Sequence, residues 1–453
     1  MLIAYFFGLR IGNIRSSGLT FTSAFNDKVS SSTNEEMSEL NEELRNIAIN
    51  IKSQGARTDG TDSTQAFIKA RAKSKYIFVP EGVYIIEKLI LKDVVLFGNG
   101  TLKWKGATTS FMMELKGRCV VKGLTFDGNA SLQNSIKITA IKLTNADNTS
   151  IKNNIFTNFH SKVIFSDIAN SPNVQVLSNR FENCGTTKGC DVVTVKSSDW
   201  IIRGNFFINI GDGHCVRLGL YNNDPTVAPI ERIIITENTF EHTQHVGVTC
   251  EIYTQNVLIT GNIFESLEQA VKCESEGGTV YDITISNNII RNITSSTALN
   301  LSVKKIKFTN NKCYNLAGGP YFGDFYDCSN NEFYNCGSLD NGVISNHGSP
   351  LQGIIANNLI VNPRYRGIEV SGGTITGNRI INCPDQAIGL SKSGLIVNNY
   401  IKGAKNGIVL LSSVSNSIIN NNIFLSISET SISFSNNVLP NNVIIKDNLG
   451  AGN

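Results

Sequence analysis

The chain has 453 residues, of which 40 are basic and 37 acidic, and its formal net charge is +3. This near balance, with no obvious basic stripe, argues against a nucleic-acid partner. Charged residues make up only 17 % of the chain, and its many Asn, Ile, Gly and Ser residues are typical of short strands joined by tight polar turns, because Asn and Gly tolerate positive φ.

Residues 1–33 form an N-terminal segment that opens with the apolar stretch "MLIAYFFGLR". The stretch is too short to span a membrane, and it lacks the basic n-region of a secretory signal peptide. We therefore expect no membrane partner.

Residues 34–52 read "NEEMSELNEELRNIAINIK", in which the apolar side chains follow a heptad seam. The seam consists of Met37, Leu40, Leu44, Ile47 and Ile51. A 3–4 spacing of this kind predicts a short helical neck. The helix either packs on its own chain or joins several chains as a coiled coil.

Residues 53–105 carry a Gly/Asp turn and then a helix that is predicted to begin near Asp62–Ser63, with Ala66, Phe67 and Ala70 on one side. "YIFVPEGVYII" follows and predicts two strands around a Pro-Glu-Gly turn. This order of motifs resembles the opening segment of pectate-lyase-like right-handed parallel β-helices, which is found in many phage tailspikes and polysaccharide-degrading enzymes. The resemblance implies the fold and says little about the reaction.

Residues 106–453 repeat a motif in which Asn stands two residues before an apolar or aromatic residue, at intervals of 20–33 residues. Such a period predicts a solenoid, and the absence of helix-sized segments predicts turns made of strands alone. We expect an all-β, single-stranded parallel β-helix of about twelve or more turns, with the Asn side chains stacked along its axis. The repeated residues are Asn154, Asn179, Asn205, Asn238, Asn262, Asn288, Asn311, Asn331, Asn358, Asn378, Asn399 and Asn422.

Two neighbouring repeats place a carboxylate at the same position, in "VTCE" and "VKCE". Since strand side chains alternate between faces, buried Cys250 and Cys273 would leave Glu251, Lys272 and Glu274 facing outward. The same reasoning predicts one outward column over five consecutive turns. The column consists of Thr194, Arg217, Glu251, Glu274 and Asn300.

Neighbouring turns lie about 4.8 Å apart, so the carboxyl groups of Glu251 and Glu274 are predicted to lie about 5 Å apart. Like charges at that distance disfavour double ionisation. One protonated and one ionised carboxyl group would suit glycosidic cleavage. Arg217 and Lys272 would then set the ionisation states and bind an acidic sugar or phosphate. The alternative is a solvated ladder in which Arg217 only neutralises Glu251.

Two stretches are similar to motifs of the polygalacturonase family of glycoside hydrolases: "CDVVTVKS" at 190–197 and "GHCVRLG" at 213–219, with "FSDI" at 165–168 one turn earlier. The resemblance implies that Asp167, Asp191 and His214 line a cleft. Lys196 adds a substrate-binding candidate, and Asp212 is either catalytic or a turn residue. The chain departs from the family at Cys190, which replaces an Asp, and at "TCE" (249–251), which replaces Arg-x-Lys.

Three aromatic residues are candidate sugar platforms, although packing is the more common role for each of them. Tyr253 follows Glu251 on the same side of the strand, and Trp200 and Tyr221 fall in predicted loops beside the column. Tyr221 belongs to the insertion "LGLYNNDPTVAPIER", which is predicted to project as a loop.

The ten cysteines form no CxxC pair and no cluster with zinc spacing. This pattern predicts buried free thiols, a reducing folding compartment, and neither a metal nor another cofactor.

Together these features predict a tailspike-like depolymerase that hydrolyses a bacterial surface polysaccharide, with Glu251 and Glu274 as acid and as nucleophile or base. We expect a homotrimer, placed in a virion tail, secreted, or at a cell surface. The first rival is a polysaccharide lyase with Lys272 or His214 as base. The second is a fibre or adhesin that binds glycan without cleaving it.

Overall fold

A computed structural model describes residues 47–106, 110–133, 137–166, 171–187, 190–219, 229–274, 280–323, 326–338, 341–346, 353–411, 413–435 and 441–450. The chain divides into two compact units, residues 1–48 and 49–453. The second unit is a parallel β-solenoid of about 15 turns, which confirms the predicted fold class.

The helices are few and short. The α-helix α1 spans Thr64–Lys73, and the 3₁₀ helices span Ile51–Gln54 and Ala130–Leu132. No helix in the described residues is long and apolar enough to cross a membrane.

The described residues form 45 strands. The first fifteen are β1 (Ile49–Asn50), β2 (Tyr76–Val79), β3 (Val83–Ile86), β4 (Leu89–Lys92), β5 (Val95–Gly98), β6 (Thr101–Trp104), β7 (Phe111–Lys116), β8 (Val120–Lys122), β9 (Thr125–Asp127), β10 (Thr139–Leu143), β11 (Ser150–Lys152), β12 (Ile155–Thr157), β13 (Ile164–Ser166), β14 (Gln175–Leu177) and β15 (Arg180–Glu182). The next fifteen are β16 (Val193–Val195), β17 (Ile201–Arg203), β18 (Phe206–Ile208), β19 (Val216–Leu218), β20 (Ile230–Thr236), β21 (Thr239–Cys250), β22 (Thr254–Thr260), β23 (Ile263–Glu274), β24 (Tyr281–Ser286), β25 (Ile289–Arg291), β26 (Leu299–Ser302), β27 (Lys304–Thr309), β28 (Lys312–Tyr314), β29 (Pro320–Phe322) and β30 (Tyr326–Ser329). The last fifteen are β31 (Glu332–Tyr334), β32 (Ile344–Asn346), β33 (Ile354–Ala356), β34 (Leu359–Val361), β35 (Ile368–Val370), β36 (Gly373–Thr376), β37 (Arg379–Ile381), β38 (Gln386–Leu390), β39 (Gly394–Val397), β40 (Tyr400–Lys402), β41 (Asn406–Leu410), β42 (Ser417–Asn420), β43 (Ile423–Leu425), β44 (Thr430–Phe434) and β45 (Val443–Lys446).

The strands stack into three faces, numbered here in the order in which each turn visits them. Face 1 contains 17 strands, including β17, β20 and β22, and the other 28 strands form faces 2 and 3. Face 2 carries the repeated Asn motif, as in β18 and β25. Face 3 includes β10, β13, β16, β19 and β26. The long strands β21 and β23 run through the corner between the two, since β21 pairs with β18 at its start and with β19 at its end.

The Asn ladder predicted from the sequence is present and buried. In each pair the side-chain Oδ1 of one Asn accepts hydrogen bonds from the backbone N–H and the side-chain Nδ2 of the Asn one turn earlier, as Asn262 does from Asn238 at 2.9 and 3.0 Å. The ladder runs from Asn154 to Asn422, as predicted, and continues to Asn448, which was not predicted. It holds the same corner at each turn from Asn154 onward.

The ladder lies beside a column of stacked phenylalanine rings inside face 2. Six rings follow one another with centroids 4.7–5.1 Å apart, close to the spacing of the turns. They belong to Phe126, Phe156, Phe181, Phe207, Phe240 and Phe264, all fully buried. Offset stacking adds to the hydrophobic contribution of burying each ring.

The N-terminal end of the solenoid is capped as predicted. The Asp62 side chain accepts a hydrogen bond from the backbone N–H of Thr64 at the start of α1. Ala66, Phe67 and Ala70 are buried on one side of the helix. Because this helix covers the first turns, the end of the apolar core does not face solvent.

The neck predicted at 34–52 lies mostly outside the described residues, but its last residues belong to the solenoid. Ile49 pairs with Ile77 in β2, and Ile51 is fully buried in the core. The boundary predicted after residue 52 is therefore too late, and Ile51 is not available for a seam between chains. The heptad spacing of the preceding residues extends to Ile51 by chance, because Ile51 packs in the first turn of the solenoid.

All ten cysteines are buried and unpaired, as expected for core thiols. Cys250 and Cys273 are register partners on neighbouring turns. Their shared position places Glu251 and Glu274, which directly follow them, at equivalent points of two turns.

Candidate functional site

The polar side chains singled out by the sequence converge on face 3, but the predicted column was wrong in one respect. The register runs from Thr194 through Arg217, Thr249 and Lys272 to Asn300. Glu251, directly after the end of β21, and Glu274, the last residue of β23, lie two positions beyond Thr249 and Lys272, so they form a second outward column beside the first. Alternation distinguishes outward from inward positions, but it does not distinguish two outward positions of one strand.

The two columns touch through Arg217 and Glu251. Arg217 Nε donates to Glu251 Oε2 at 2.9 Å, and Nη2 contacts the same oxygen. Gly219 lies next to Glu251 on the preceding turn, at φ +136°, and a Cβ there would come to 3.0 Å from Glu251. A glycine at this position therefore leaves room for the Glu251 backbone to approach.

Arg217 also joins Glu251 to the motif that resembles polygalacturonases. Its Nη1 lies 3.5 Å from Asp191 Oδ2, and the other Asp191 oxygen lies 2.6 Å from His214 Nδ1. The Asp191 side chain has no exposed surface, whereas the His214 side chain is 10 % exposed. A buried carboxylate is held by such partners, because an unpaired charge in the interior is very costly. Asp191 therefore does not meet a substrate directly, and His214 and Arg217 can transmit its effect.

A second imidazole extends this cluster toward solvent. The rings of His214 and His245 lie 4.8 Å apart, and His245 Nδ1 is 2.9 Å from Glu268 Oε2. His245 lies in β21, where that strand turns the corner between faces 2 and 3. His245 and Glu268 were not predicted to belong to the site, since neither is part of the repeated motif and no periodic signal marks them.

Glu274 has partners of its own. Lys272 Nζ lies 2.9 Å from Glu274 Oε2, and Asn300 Nδ2 donates to Oε1 at 2.9 Å. The side chains of Glu251 and Glu274 are 19 % and 29 % exposed. Each carboxylate thus has a separate cation, which offsets the repulsion from which a shared proton was expected.

Two hydroxyl groups flank Arg217 in the first column. Thr194 Oγ1 and Thr249 Oγ1 are buried and have no hydrogen-bond partner among the described residues. Buried polar atoms of this kind are usually hydrogen-bonded, so these two are polar groups that the site leaves unsatisfied.

The remaining predicted residues are distributed more widely. Lys196 is almost buried, with Nζ 5.1 Å from the centre of the Phe165 ring. Asp212 is half-buried, and Tyr253 is partly buried against the core. Asp167 and Tyr221 lie outside the described residues.

Trp200 takes the packing role of the two that the sequence left open, and it is not a sugar platform. Its side chain is fully buried, and Nε1 donates to the carbonyl of Ser171 at 2.9 Å and to Ser197 Oγ at 3.1 Å. A buried indole normally satisfies its N–H in this way. The residue therefore anchors the loop between β16 and β17 and is not available to a substrate.

Comparison with known proteins agrees with this architecture. Residues 321–453 match a family model described as a right handed beta helix region. No curated protein gives a significant match to the sequence.

Among solved structures, the chain is similar to the tailspike of the Escherichia coli bacteriophage HK620, solved with a pentasaccharide: 12 % identity, a TM-score of 0.58, and coverage of 89 % of this chain and 81 % of that one. It is also similar to a family 28 exopolygalacturonase of Yersinia enterocolitica, with 13 % identity, a TM-score of 0.52, and coverage of 90 % and 78 %. The Dettilon tailspike gives 14 % identity, a TM-score of 0.50, and coverage of 74 % and 66 %.

At these identities the likeness concerns the fold. The chain is a right-handed parallel β-helix, an architecture that tailspikes and exopolygalacturonases share. This confirms, for the fold, the resemblance stated from the opening segment.

Proposed function

We propose that this chain is a depolymerase that hydrolyses a bacterial surface polysaccharide along face 3. The observation that carries the proposal is the contact of Arg217 with both Asp191 and Glu251. It joins the His214 pair and the glutamate column into one group of acid–base side chains spread over consecutive turns. The tailspike solved with a pentasaccharide and the exopolygalacturonase have the same fold, which supports a glycan as substrate.

In the proposed reaction, Glu251 acts as nucleophile or base, because its carboxylate is fixed by Arg217. Glu274 on the next turn, or His214 held by Asp191, gives a proton to the leaving oxygen. Asp191 is a positioning residue, since it has no exposed surface. General acid–base catalysis by each group contributes about 10²–10⁴-fold to the rate.

The test is to size the products after incubation with a panel of capsular and O-antigen polysaccharides. Glu251→Gln and Glu274→Gln keep the shape of the side chain but remove its acid–base function, so each is expected to lower turnover by about 10²-fold or more. Glu265→Gln is the matched control. It lies in β23 like Glu274, is similarly exposed and pairs with Arg291 on face 2. Full activity in both Glu251→Gln and Glu274→Gln would show that neither glutamate acts as acid, base or nucleophile.

A lyase is the second candidate, and the 2.6 Å contact between Asp191 and His214 favours it, because a carboxylate that orients an imidazole equips it as a base. Lys272 is the other candidate base. New reducing ends without an unsaturated, ultraviolet-absorbing sugar would indicate hydrolysis. Appearance of the unsaturated sugar would indicate elimination. Binding of a polysaccharide without either product would indicate that the chain is a glycan-binding fibre or adhesin.

We further propose that the chain acts at the tip of a virion tail or at a cell surface, as a homotrimer. The similarity to two tailspikes supports the location. The heptad pattern of Met37, Leu40 and Leu44 supports assembly through residues 34–46, which lie outside the described part of the chain.

A further inference from the structure

A second cleft lies on face 1 and uses none of the side chains assigned to the reaction. Its volume is about 700 Å³, within the range of roughly 300–1,000 Å³ found for ligand sites. It is lined by β22, β24, β27, β30 and β33, which belong to five successive turns. We call it the face 1 cleft and define it by Leu258, Asp282, Lys305, Lys307, Asp327 and Ile354.

The side chains of the cleft stand in two rows. Asn256, Asp282 and Lys305 hold equivalent positions on three turns, and all three have positive φ, at 52°, 56° and 54°. Positive φ is uncommon for residues other than glycine, and here it breaks three neighbouring strands at the same place and leaves the three side chains exposed. The second row is the regular outward column of face 1, which consists of Leu258, Thr284, Lys307, Asp327 and Ile354.

Four charged side chains of the cleft are not used by the protein itself. Asp282, Lys305, Lys307 and Asp327 make no ion pair and no side-chain hydrogen bond with any residue that the structure describes. Lys307 and Asp327 are register partners on neighbouring turns, yet their charged groups do not meet. Lys305 has one weak contact, with its Nζ 5.8 Å from the centre of the Tyr281 ring.

The turn before the cleft shows the usual alternative. Arg232, with φ at 58°, holds the position equivalent to that of Asn256. Its Nη2 donates to Asp199 Oδ2 at 2.9 Å, and Glu231 Oε2 accepts a hydrogen bond from Gln255 Nε2 at 2.8 Å. Polar side chains on this face therefore satisfy one another where the partners are in reach, whereas those of the cleft stay available to a ligand.

Asp327 gives the most direct indication of a ligand. Its Oδ1 atom is buried and accepts no hydrogen bond within the described part of the chain. Buried acceptors are usually satisfied, because an unsatisfied one retains the cost of its lost hydration. Since Asp327 lines the cleft, a ligand bound there can supply the donor.

The chemistry of the cleft requires a ligand that both donates and accepts hydrogen bonds. Carboxylates only accept and ammonium groups only donate, whereas a hydroxyl group does both. Asp282 and Asp327 are two turns apart, or about 10 Å, with Lys305 and Lys307 on the turn between them. A short run of sugar rings can therefore satisfy all four charges with hydroxyl groups alone. Ile354, which is 48 % exposed, offers an apolar surface to the C–H groups of a ring.

Two other occupants fit this cleft less well. A peptide that joins a sheet needs an unpaired strand edge, whereas β24, β27 and β30 are each paired on both sides. A second copy of the chain would bring the same patch in a symmetric contact, and two concave surfaces do not fill each other.

We propose that the face 1 cleft is a second saccharide-binding site, which holds a short hydroxyl-rich stretch of a glycan and takes no part in cleavage. The inference goes beyond the proposed function and does not depend on it, because the cleft uses no residue of face 3. A chain with such a site keeps a bound polymer close and raises its effective concentration at any other site.

The experiment measures binding of the full chain to an array of bacterial capsular and O-antigen oligosaccharides. Lys307→Gln/Asp327→Asn is compared with Lys446→Gln/Asp447→Asn, which changes an exposed pair at the far end of face 1. Both changes leave the net charge unaltered. For at least one oligosaccharide we expect the cleft variant to bind about tenfold more weakly than the parent, or about 1.4 kcal/mol, and the control to bind like the parent.

A second pair of substitutions guards against a folding defect. Asp282→Asn/Lys305→Gln changes the other row of the cleft, and Asn accepts the positive φ at position 282. It is expected to weaken binding of the same oligosaccharide. Glu251→Gln and Glu274→Gln on face 3 are expected to bind that oligosaccharide like the parent.

The proposal is overturned when no oligosaccharide distinguishes the two cleft variants from the control. A peptide array that the parent binds through the cleft, in place of any glycan, would give this result and would show a polypeptide site. Cleavage of polysaccharides is followed in parallel. Binding through the cleft without cleavage of any polymer would refute the depolymerase alone, and cleavage without binding through the cleft would refute the second site alone.

Discussion

Arg217 and Asp191 form an ion pair, 3.5 Å between Nη1 and Oδ2, in which the carboxylate has no exposed surface and the guanidinium is 16 % exposed. The pair links neighbouring turns of face 3, and on its other side the same guanidinium contacts Glu251. The geometry couples the stability of this part of the solenoid to its proposed chemistry.

Replacing Arg217 with Met is expected to lower the free energy of unfolding by roughly 1–3 kcal/mol. The buried Asp191 carboxylate would lose a charged partner and keep His214, and the partial exposure of Arg217 reduces the loss. In the background of Asp191→Asn the same replacement is expected to cost less, because the charge has gone. Urea unfolding of the two single variants and the double variant measures the coupling. Additive losses would show that the pair contributes nothing of its own.

Asn262→Ala is expected to lower stability by roughly 2–5 kcal/mol, because buried groups that lose a hydrogen bond cost about 1–3 kcal/mol each. The backbone N–H and side-chain amide of Asn238 would lose their shared acceptor, and the carbonyl of Ile235 would lose its donor. Thermal unfolding followed by circular dichroism measures the change. The control is Asn315→Gly, at an exposed position with φ +54°, where glycine accepts the conformation. A loss no larger than that of the control would contradict the structural role of the ladder.

Lys162→Met is expected to leave the melting temperature at neutral pH unchanged or higher. Burial lowers the pKa of this ammonium below its ordinary value of 10.5, so the unfolded chain holds the proton more tightly than the folded chain does. The charge therefore opposes folding at neutral pH, and this penalty disappears as the pH rises through the interval below 10.5.

The difference in melting temperature between the Lys162→Met variant and the parent should accordingly shrink toward alkaline pH. Lys69→Met, at an exposed lysine of α1, corrects for the change in net charge. A variant that melts well below the parent at neutral pH would show that attraction to Asp191 outweighs the loss of hydration.

Removal of residues 1–46 is expected to leave a solenoid that melts like the full chain, whereas removal of residues 1–54 is expected to lower the melting temperature. The longer deletion takes away β1 and the buried side chain of Ile51, which pack in the first turn. If residues 34–46 form the seam between chains, both deletions abolish trimers. Light scattering at micromolar concentration measures the number of chains in the assembly. A full chain that is monomeric would show that residues 34–46 do not join several chains.

Much of the fold could be predicted because its repeated features are imposed on every turn. The Asn ladder needs an amide at one place in each turn, so Asn154 to Asn422 stand out in the sequence. The cap could be predicted because Asp62 and the apolar side of α1 follow helix rules. The boundary of the neck could not, since Ile51 continues the heptad spacing although it packs in the solenoid.

The candidate site was harder to predict because it depends on position along the strands and on loops. Alternation placed Glu251 on the correct face, but the pairing of Arg217 with Thr249 moved it into a second column. Loop residues follow no alternation, which is why the role of Trp200 stayed open. The contact between the tilted rings of His214 and His245 brings together residues of two different turns, at a corner without a repeated motif.

The spacing of the Asn ladder has a consequence for how such a protein can change. Successive ladder residues are separated by as few as 20 and as many as 33 positions, yet each makes the same hydrogen bonds. The residues between them can lengthen or shorten without shifting the register of the core. A scaffold of this kind can exchange the loops that border face 3 one at a time, so that specificity for a new glycan can be acquired without redesign of the fold.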